Sequence, residues 1–125
     1  MEDSGNPIRL SVEGLSLIGR HGVYDEEKAH GNQFCIDVVM TLDAASAVKS
    51  DLLEDTIDVA AVVRVVRDVN QQRQFNLIES FADVLAQALL SRFQRIDSLL
   101  VRVKKIAPPD LEGAACVVET MKTRA

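Results

Sequence analysis

Segregated strand and helix patterns predict an α+β domain: a four-stranded antiparallel sheet with two helices on one face, in the order ββααββ. Three observations carry that class. Two alternating apolar runs come first, two stretches of helical period fill the middle, and two alternating runs close the chain. The 125 residues suffice for one domain with a real core, taken as 1–125 with a flexible lead over 1–7.

Ile8 to Glu13 sets Ile8, Leu10 and Val12 against Arg9, Ser11 and Glu13, the alternation of a half-buried strand. Gly14 bends the chain, and Leu15 to Ile18 continues the sheet. Gly19 to Asn32 reads as one long polar loop, a length more common in functional segments than in plain connections. Gln33 to Leu42 places Phe34, Ile36, Val38, Met40 and Leu42 on one face, the clearest strand in the chain. Asp43 to Asp55 is a linker with a helical turn at Ala44 to Val48. From Asp58 the period changes. Val59, Val62, Val63, Val66 and Val69 recur at three- and four-residue steps, with Asp58 or Thr56 as the cap. Valine is a poor helix former, so packing must select helix over strand here. A second helix runs from Leu77 to Phe93, capped by Asn76, with Ile78, Phe81, Ala82, Leu85, Leu89 and Phe93 on its stripe. Ile96 to Lys105 alternates again, with Leu99, Val101 and Val103 on one face. Pro108-Pro109 forces a turn, and Ala114 to Met121 is the last strand. Such a sheet has two edges, and pairing with further copies protects them, so a homo-oligomer is expected.

The net charge of −5 argues against a broad nucleic-acid-binding face. No apolar run approaches the roughly 20 residues that cross a membrane, and the acidic, polar start is unlike a secretory signal. Cys35 and Cys116 fall in apolar, strand-like runs and read as buried free thiols of a reducing cytoplasm. No Cys/His cluster has zinc-ligand spacing, so no metal is expected.

Four places bear on chemistry. Glu79 lies three residues after Asn76, which is capping-box spacing and needs no function. A carboxylate at a helix amino end can also grip an N–C–N edge with two parallel hydrogen bonds. Lys105 ends a strand; it is either a solvated strand end or a partly desolvated amine able to shuttle a proton. Glu27 sits in the long polar loop, where plain surface charge is the ordinary reading. His21 can do acid–base work, although a histidine beside glycine in a loop is more often structural. Lys104 points to the opposite face from Lys105.

The combination of motifs is specific. His21-Gly22-Val23-Tyr24-Asp25-Glu26-Glu27 with Gly31-Asn32-Gln33-Phe34 resembles the loop of bacterial dihydroneopterin aldolases. So do Lys49-Ser50-Asp51 with Asp55-Thr56-Ile57, then Asn76-Leu77-Ile78-Glu79, and Val101-Arg102-Val103-Lys104-Lys105 before Pro108-Pro109. The resemblance spans Ile8 to Glu119. It implies the tunnelling fold, whose sheets join into tetrameric rings that stack as octamers with sites between subunits. The implied reaction splits 7,8-dihydroneopterin into 6-hydroxymethyl-7,8-dihydropterin and glycolaldehyde in folate biosynthesis, often with epimerisation at C2′. The substrate's own C6=N5 imine is the electron sink, so neither a lysine Schiff base nor a metal is needed and no cofactor is expected. By matching position, Glu79 anchors the 2-amino and N3 edge, with backbone groups of Leu77 and Ile78 nearby. Lys105 tends N5 and moves protons, and Glu27 positions water or the side-chain hydroxyls. Thr56 and Ile57 of a neighbouring subunit wall the pterin pocket.

One position departs from the pattern. Two residues after Ile57 the family carries a tyrosine assigned to proton transfer, and this chain has Val59. Tyr24 is the only tyrosine, and its motif gives it no positional claim to that role. Asp58, His21 or water are the candidate substitutes. The competing readings are a 2′-epimerase acting on dihydroneopterin or its triphosphate, and a pterin-binding homologue with weak or no aldolase activity.

Overall fold

The structure, a computed structural model, describes residues 5–124. One antiparallel sheet runs in the order β1 (Pro7–Gly19), β2 (Asn32–Asp43), β3 (Ser98–Lys105), β4 (Cys116–Thr123). The long helices α3 (Val59–Gln72) and α4 (Ile78–Arg92) connect β2 to β3 and cover one face of the sheet. Two short helices add to the expected order: α1 (Asp25–His30) between β1 and β2, and α2 (Ala45–Ser50) with a 3-10 turn at Leu53–Asp55 after β2.

Strand β2 is the spine. Phe34, Ile36, Val38, Met40 and Leu42 are fully buried on its helix-facing side, as their alternation predicts. They pair across to β3 as Ile36 with Val103, Val38 with Val101 and Met40 with Leu99. The same row ends with Phe34 opposite Lys105. A lysine therefore occupies the last inward position of a hydrophobic row, at the rim of the core. This register is what makes Lys105 unusual.

Helix α3 is capped by Asp58, whose Oδ1 accepts from the Ala60 N–H at 3.0 Å. Its buried stripe is Val62, Val65, Val66 and Val69. Val65 replaces the expected Val63, which is half-buried, and Val59 is 40% exposed. In a helix so rich in valine, sequence period alone does not fix which valines face inward. Helix α4 buries Ile78, Phe81, Ala82, Leu85, Ala86 and Leu89 against β3 and β4.

Three further expectations change. Residues 1–4 of the lead lie outside the described residues, while Asn6 donates its N–H to Asp43 Oδ1 at 2.9 Å and Pro7 already opens β1. Gly14 does not interrupt the strand. It forms a bulge between the Val12–Val38 and Leu15–Ile36 pairs, at φ 74°, with its N–H donated to Asp37 Oδ1 at 2.7 Å. The cysteines are free but not buried. Cys35 lies on the uncovered sheet face, half-buried, and Cys116 is exposed at the start of edge strand β4. Among the described residues, no helix is long and apolar enough to cross a membrane.

Candidate active site

Four segments distant in sequence meet in one cleft of about 260 Å³. Gly22, Val23, Tyr24 and Glu27 come from the loop into α1; Asn76 to Glu79 come from the start of α4; Lys105 ends β3; and Pro108 to Leu111 with Cys116 close the rim. Glu27, Glu79 and Lys105 are thus brought together within one chain, along with Leu77 and Ile78. Thr56, Ile57 and Val59 are not: Ile57 belongs to the core, and none of the three lines this cleft.

Glu27 is the buried member, its side chain 3% exposed. Its Oε2 sits 2.5 Å from Lys105 Nζ and accepts from Asn32 Nδ2 at 3.0 Å, while Oε1 accepts from the Tyr24 N–H at 3.3 Å. Burial pushes the Glu27 carboxyl up, but Lys105, the Tyr24 N–H and Asn32 together outweigh it and hold it below the ordinary glutamate range. Gly22 makes the room for this: a Cβ there would collide with the Glu27 carboxylate. Lys105, with a side chain 11% exposed, is therefore a nearly buried ammonium matched to a fixed anion. Polar residues without apolar spacing gave no sign of α1, yet that helix is what turns Glu27 inward.

Glu79 is different. It is exposed and its side chain makes no hydrogen bond or ion pair with the described residues, yet it lines the same cleft. The capping explanation does not hold. Leu77 is the N-cap, with its carbonyl accepting from Phe81 N–H at 3.2 Å and no side-chain cap bond. Asn76 lies one residue too early, and Glu79 one residue short of the capping-box position. The carboxylate stands beside the free N–H groups of the first turn, where the helix dipole favours negative charge.

His21 does not reach the cleft. It is 1% exposed, and both ring nitrogens are engaged inside the protein. Its Nδ1 accepts from the Phe75 N–H at 3.1 Å and its Nε2 faces Asn70 Oδ1 at 2.8 Å. Burial lowers its pKa below the ordinary histidine value, the Asn70 bond opposes this, and the Lys105 charge adds to the lowering. Asp58 is occupied as the α3 cap. Of the groups weighed as substitutes for the missing phenol, neither side chain lines the cleft. Tyr24 does, 54% exposed at its mouth. Its motif gave no hint of this, because the approach of α1 to β3 is a tertiary contact.

The whole chain can be set beside known proteins. The FolB dihydroneopterin aldolase family model matches residues 10–120. The chain belongs to the dihydroneopterin aldolase family. It is 37% identical over 101 residues to a dihydroneopterin aldolase of Methylorubrum extorquens, covering 81% of this chain and 78% of that one. It is 35% identical over 101 residues to the Bacillus subtilis dihydroneopterin aldolase, covering 81% and 84%. In fold it is similar to the E. coli dihydroneopterin aldolase solved in complex with neopterin, with a TM-score of 0.84 at 27% identity, covering 92% of this chain and 98% of that one. The family is one of aldehyde-lyases.

Proposed function

We propose that this cleft binds 7,8-dihydroneopterin and cleaves it to 6-hydroxymethyl-7,8-dihydropterin and glycolaldehyde. The observation that carries the reading is the unpaired Glu79 carboxylate across one cleft from the Lys105–Glu27 pair. An acid with no internal partner, beside free helix N–H groups, suits the 2-amino and N3–H donors of a pterin. The backbone of Leu77 and Ile78 lies along the same edge.

The chemistry follows from the substrate. Removal of the 2′-hydroxyl proton lets the C1′–C2′ bond break, releasing C2′ as the aldehyde carbon. The bonding pair moves into C6=N5, and N5 takes up a proton to give an enamine. Protonation of C1′, with return of the N5 proton, completes the pterin product. Lys105 is the cation that tends N5 in this reading. Glu27, with Oε2 taken by Lys105 and Asn32, keeps that cation in place and has acceptor capacity left on Oε1 to order water, rather than acting as a free base. Tyr24 is the phenol available for proton transfer at the side chain, in place of the position held by Val59.

The cleft of one subunit is small against the roughly 300–1,000 Å³ of typical ligand sites. A homo-oligomer, a ring or octamer with Thr56 and the Val59 end of α3 from a neighbouring subunit completing the wall, fits that shortfall. A cytoplasmic location belongs to the same reading.

An unphosphorylated substrate is favoured over the triphosphate. Lys105 is the one cation lining the cleft among the described residues, and it is already paired, while Glu27, Glu79 and Asp110 are acidic. The test is release of glycolaldehyde from 7,8-dihydroneopterin, with Lys105→Gln as the control. Release by the native chain alone supports the lyase. Conversion to the 2′-epimer without glycolaldehyde would replace it by the isomerase, and binding without turnover by the pterin-binding homologue.

A further inference from the structure

The two halves of the cleft come from segments about fifty residues apart, and one buried side chain sits at their seam. His21 immediately precedes the loop that carries Tyr24 and Glu27. Phe75 immediately precedes the turn that carries Glu79. Three hydrogen bonds cross between them: Phe75 N–H to His21 Nδ1 at 3.1 Å, Gly22 N–H to Phe75 O at 2.9 Å, and Gln74 Nε2 to Gly22 O at 3.1 Å. The ring also packs against Phe81 at 4.2 Å between centroids, two residues beyond Glu79, and against Phe34 at 5.5 Å, the partner of Lys105 across the sheet.

The tautomer is set by geometry. Asn70 donates its Nδ2 to the Ile18 carbonyl at 3.0 Å, so its Oδ1 is the atom that faces His21. An oxygen acceptor there calls for a proton on Nε2, and the Phe75 N–H calls for a bare Nδ1. Only the neutral Nε2–H imidazole meets both demands. A phenylalanine would fill the same space among these rings but would bond neither neighbour.

We propose that His21 is a positioning residue for this site: through its neutral Nε2–H tautomer it fixes the loop bearing Glu27 against the turn bearing Glu79. The inference rests on the lyase reading only in calling the result a pterin site. The distance between the two carboxylates, and so the fit of a rigid heterocycle between Glu79 and Lys105, depends on this seam.

The test separates the two nitrogens. In His21→Asn the amide oxygen takes the place of Nδ1 and can still accept from Phe75. In His21→Gln the amide nitrogen takes the place of Nε2 and keeps the Asn70 arm alone. Amide exchange over residues 75–79 is measured on the ligand-free protein, and neopterin affinity by calorimetry. We expect His21→Gln to speed exchange at Phe75 and the following turn by about fivefold to tenfold, and to weaken neopterin by a similar factor, the size of one net hydrogen bond. His21→Asn stays within about twofold of the native chain on both readouts. Asn70→Ala leaves the ring in place but frees its tautomer, and shifts exchange the same way by roughly threefold. Equal behaviour of His21→Gln and His21→Asn, or native exchange in Asn70→Ala, would overturn the proposal and make His21 a packing residue. Failure of the native chain to bind neopterin would instead remove the pterin reading, and exchange in the ligand-free variants would still decide the role of His21.

Discussion

Two carboxylates share one cleft and have opposite surroundings. Glu27 is buried, with an ammonium, an amide and a backbone N–H on its oxygens. Glu79 is exposed and has no partner among the described residues. A buried charge with donors on both of its oxygens is a fixed part of the structure, because removing its counter-ion strands it in low dielectric. A carboxylate left open at a helix amino end has its hydrogen-bonding capacity free for a ligand. In the proposed reading, the first builds the site and the second reads the substrate.

That contrast breaks most readily at the buried pair. Lys105→Ala and Glu27→Ala each leave one uncompensated buried charge, and each is expected to cost about 3–5 kcal/mol, roughly 10–20 °C in Tm. Thermal melts check this. The double substitution Glu27→Gln with Lys105→Met removes both charges and should regain most of the lost stability while glycolaldehyde release stays absent. A double variant as unstable as the single ones would show that the pair is not the source of the loss.

At Glu79 the expectation reverses. Glu79→Gln should leave Tm within about 2 °C, since an exposed, unpaired side chain contributes little to the fold. It should weaken neopterin roughly 100-fold, because charge-assisted hydrogen bonds are lost. Tyr24→Phe sharpens the comparison from the chemical side. Turnover is expected to fall about 100-fold with neopterin affinity unchanged, the signature of proton transfer rather than binding. Single-turnover kinetics beside calorimetry separates the two.

The smallest effect is in pH. His21 and Glu27 both bind protons more readily in the unfolded chain, so the stability they contribute falls as pH falls. The His21 contribution is full above the ordinary histidine value of 6.5 and is lost as pH drops through its lowered native value. The Glu27 contribution is full above 4.5 and is lost below that, as pH passes the lowered native carboxyl value. Denaturant melts against pH should show the upper part of this loss vanish in His21→Asn, while the part below 4.5 persists.

Much of this was readable from the chain. Strands β2 and β3 declared themselves by strict alternation, and extending Val101–Val103 by two residues puts Lys105 on the inward face. The all-valine stripe of α3 hid its own phase, so Val65 was missed. Gly14 read as a bend because a bulge and a turn use the same residue. Helix α1 was illegible: Asp25 to His30 has no apolar period, and its inward turn depends on Glu27 meeting Lys105 nearly eighty residues away. The place of Tyr24 in the cleft was illegible for the same reason. The spacing of Asn76 and Glu79 suggested a capping box that the backbone does not form.

Side-by-side calorimetric titration of neopterin into the native chain and Glu79→Gln tests the assignment most directly. Binding by the native chain, lost about 100-fold in a variant that melts at the same temperature, is the result this account requires. Equal affinity in the two proteins would mean that Glu79 does not hold the heterocycle and that the open carboxylate has no part in recognition.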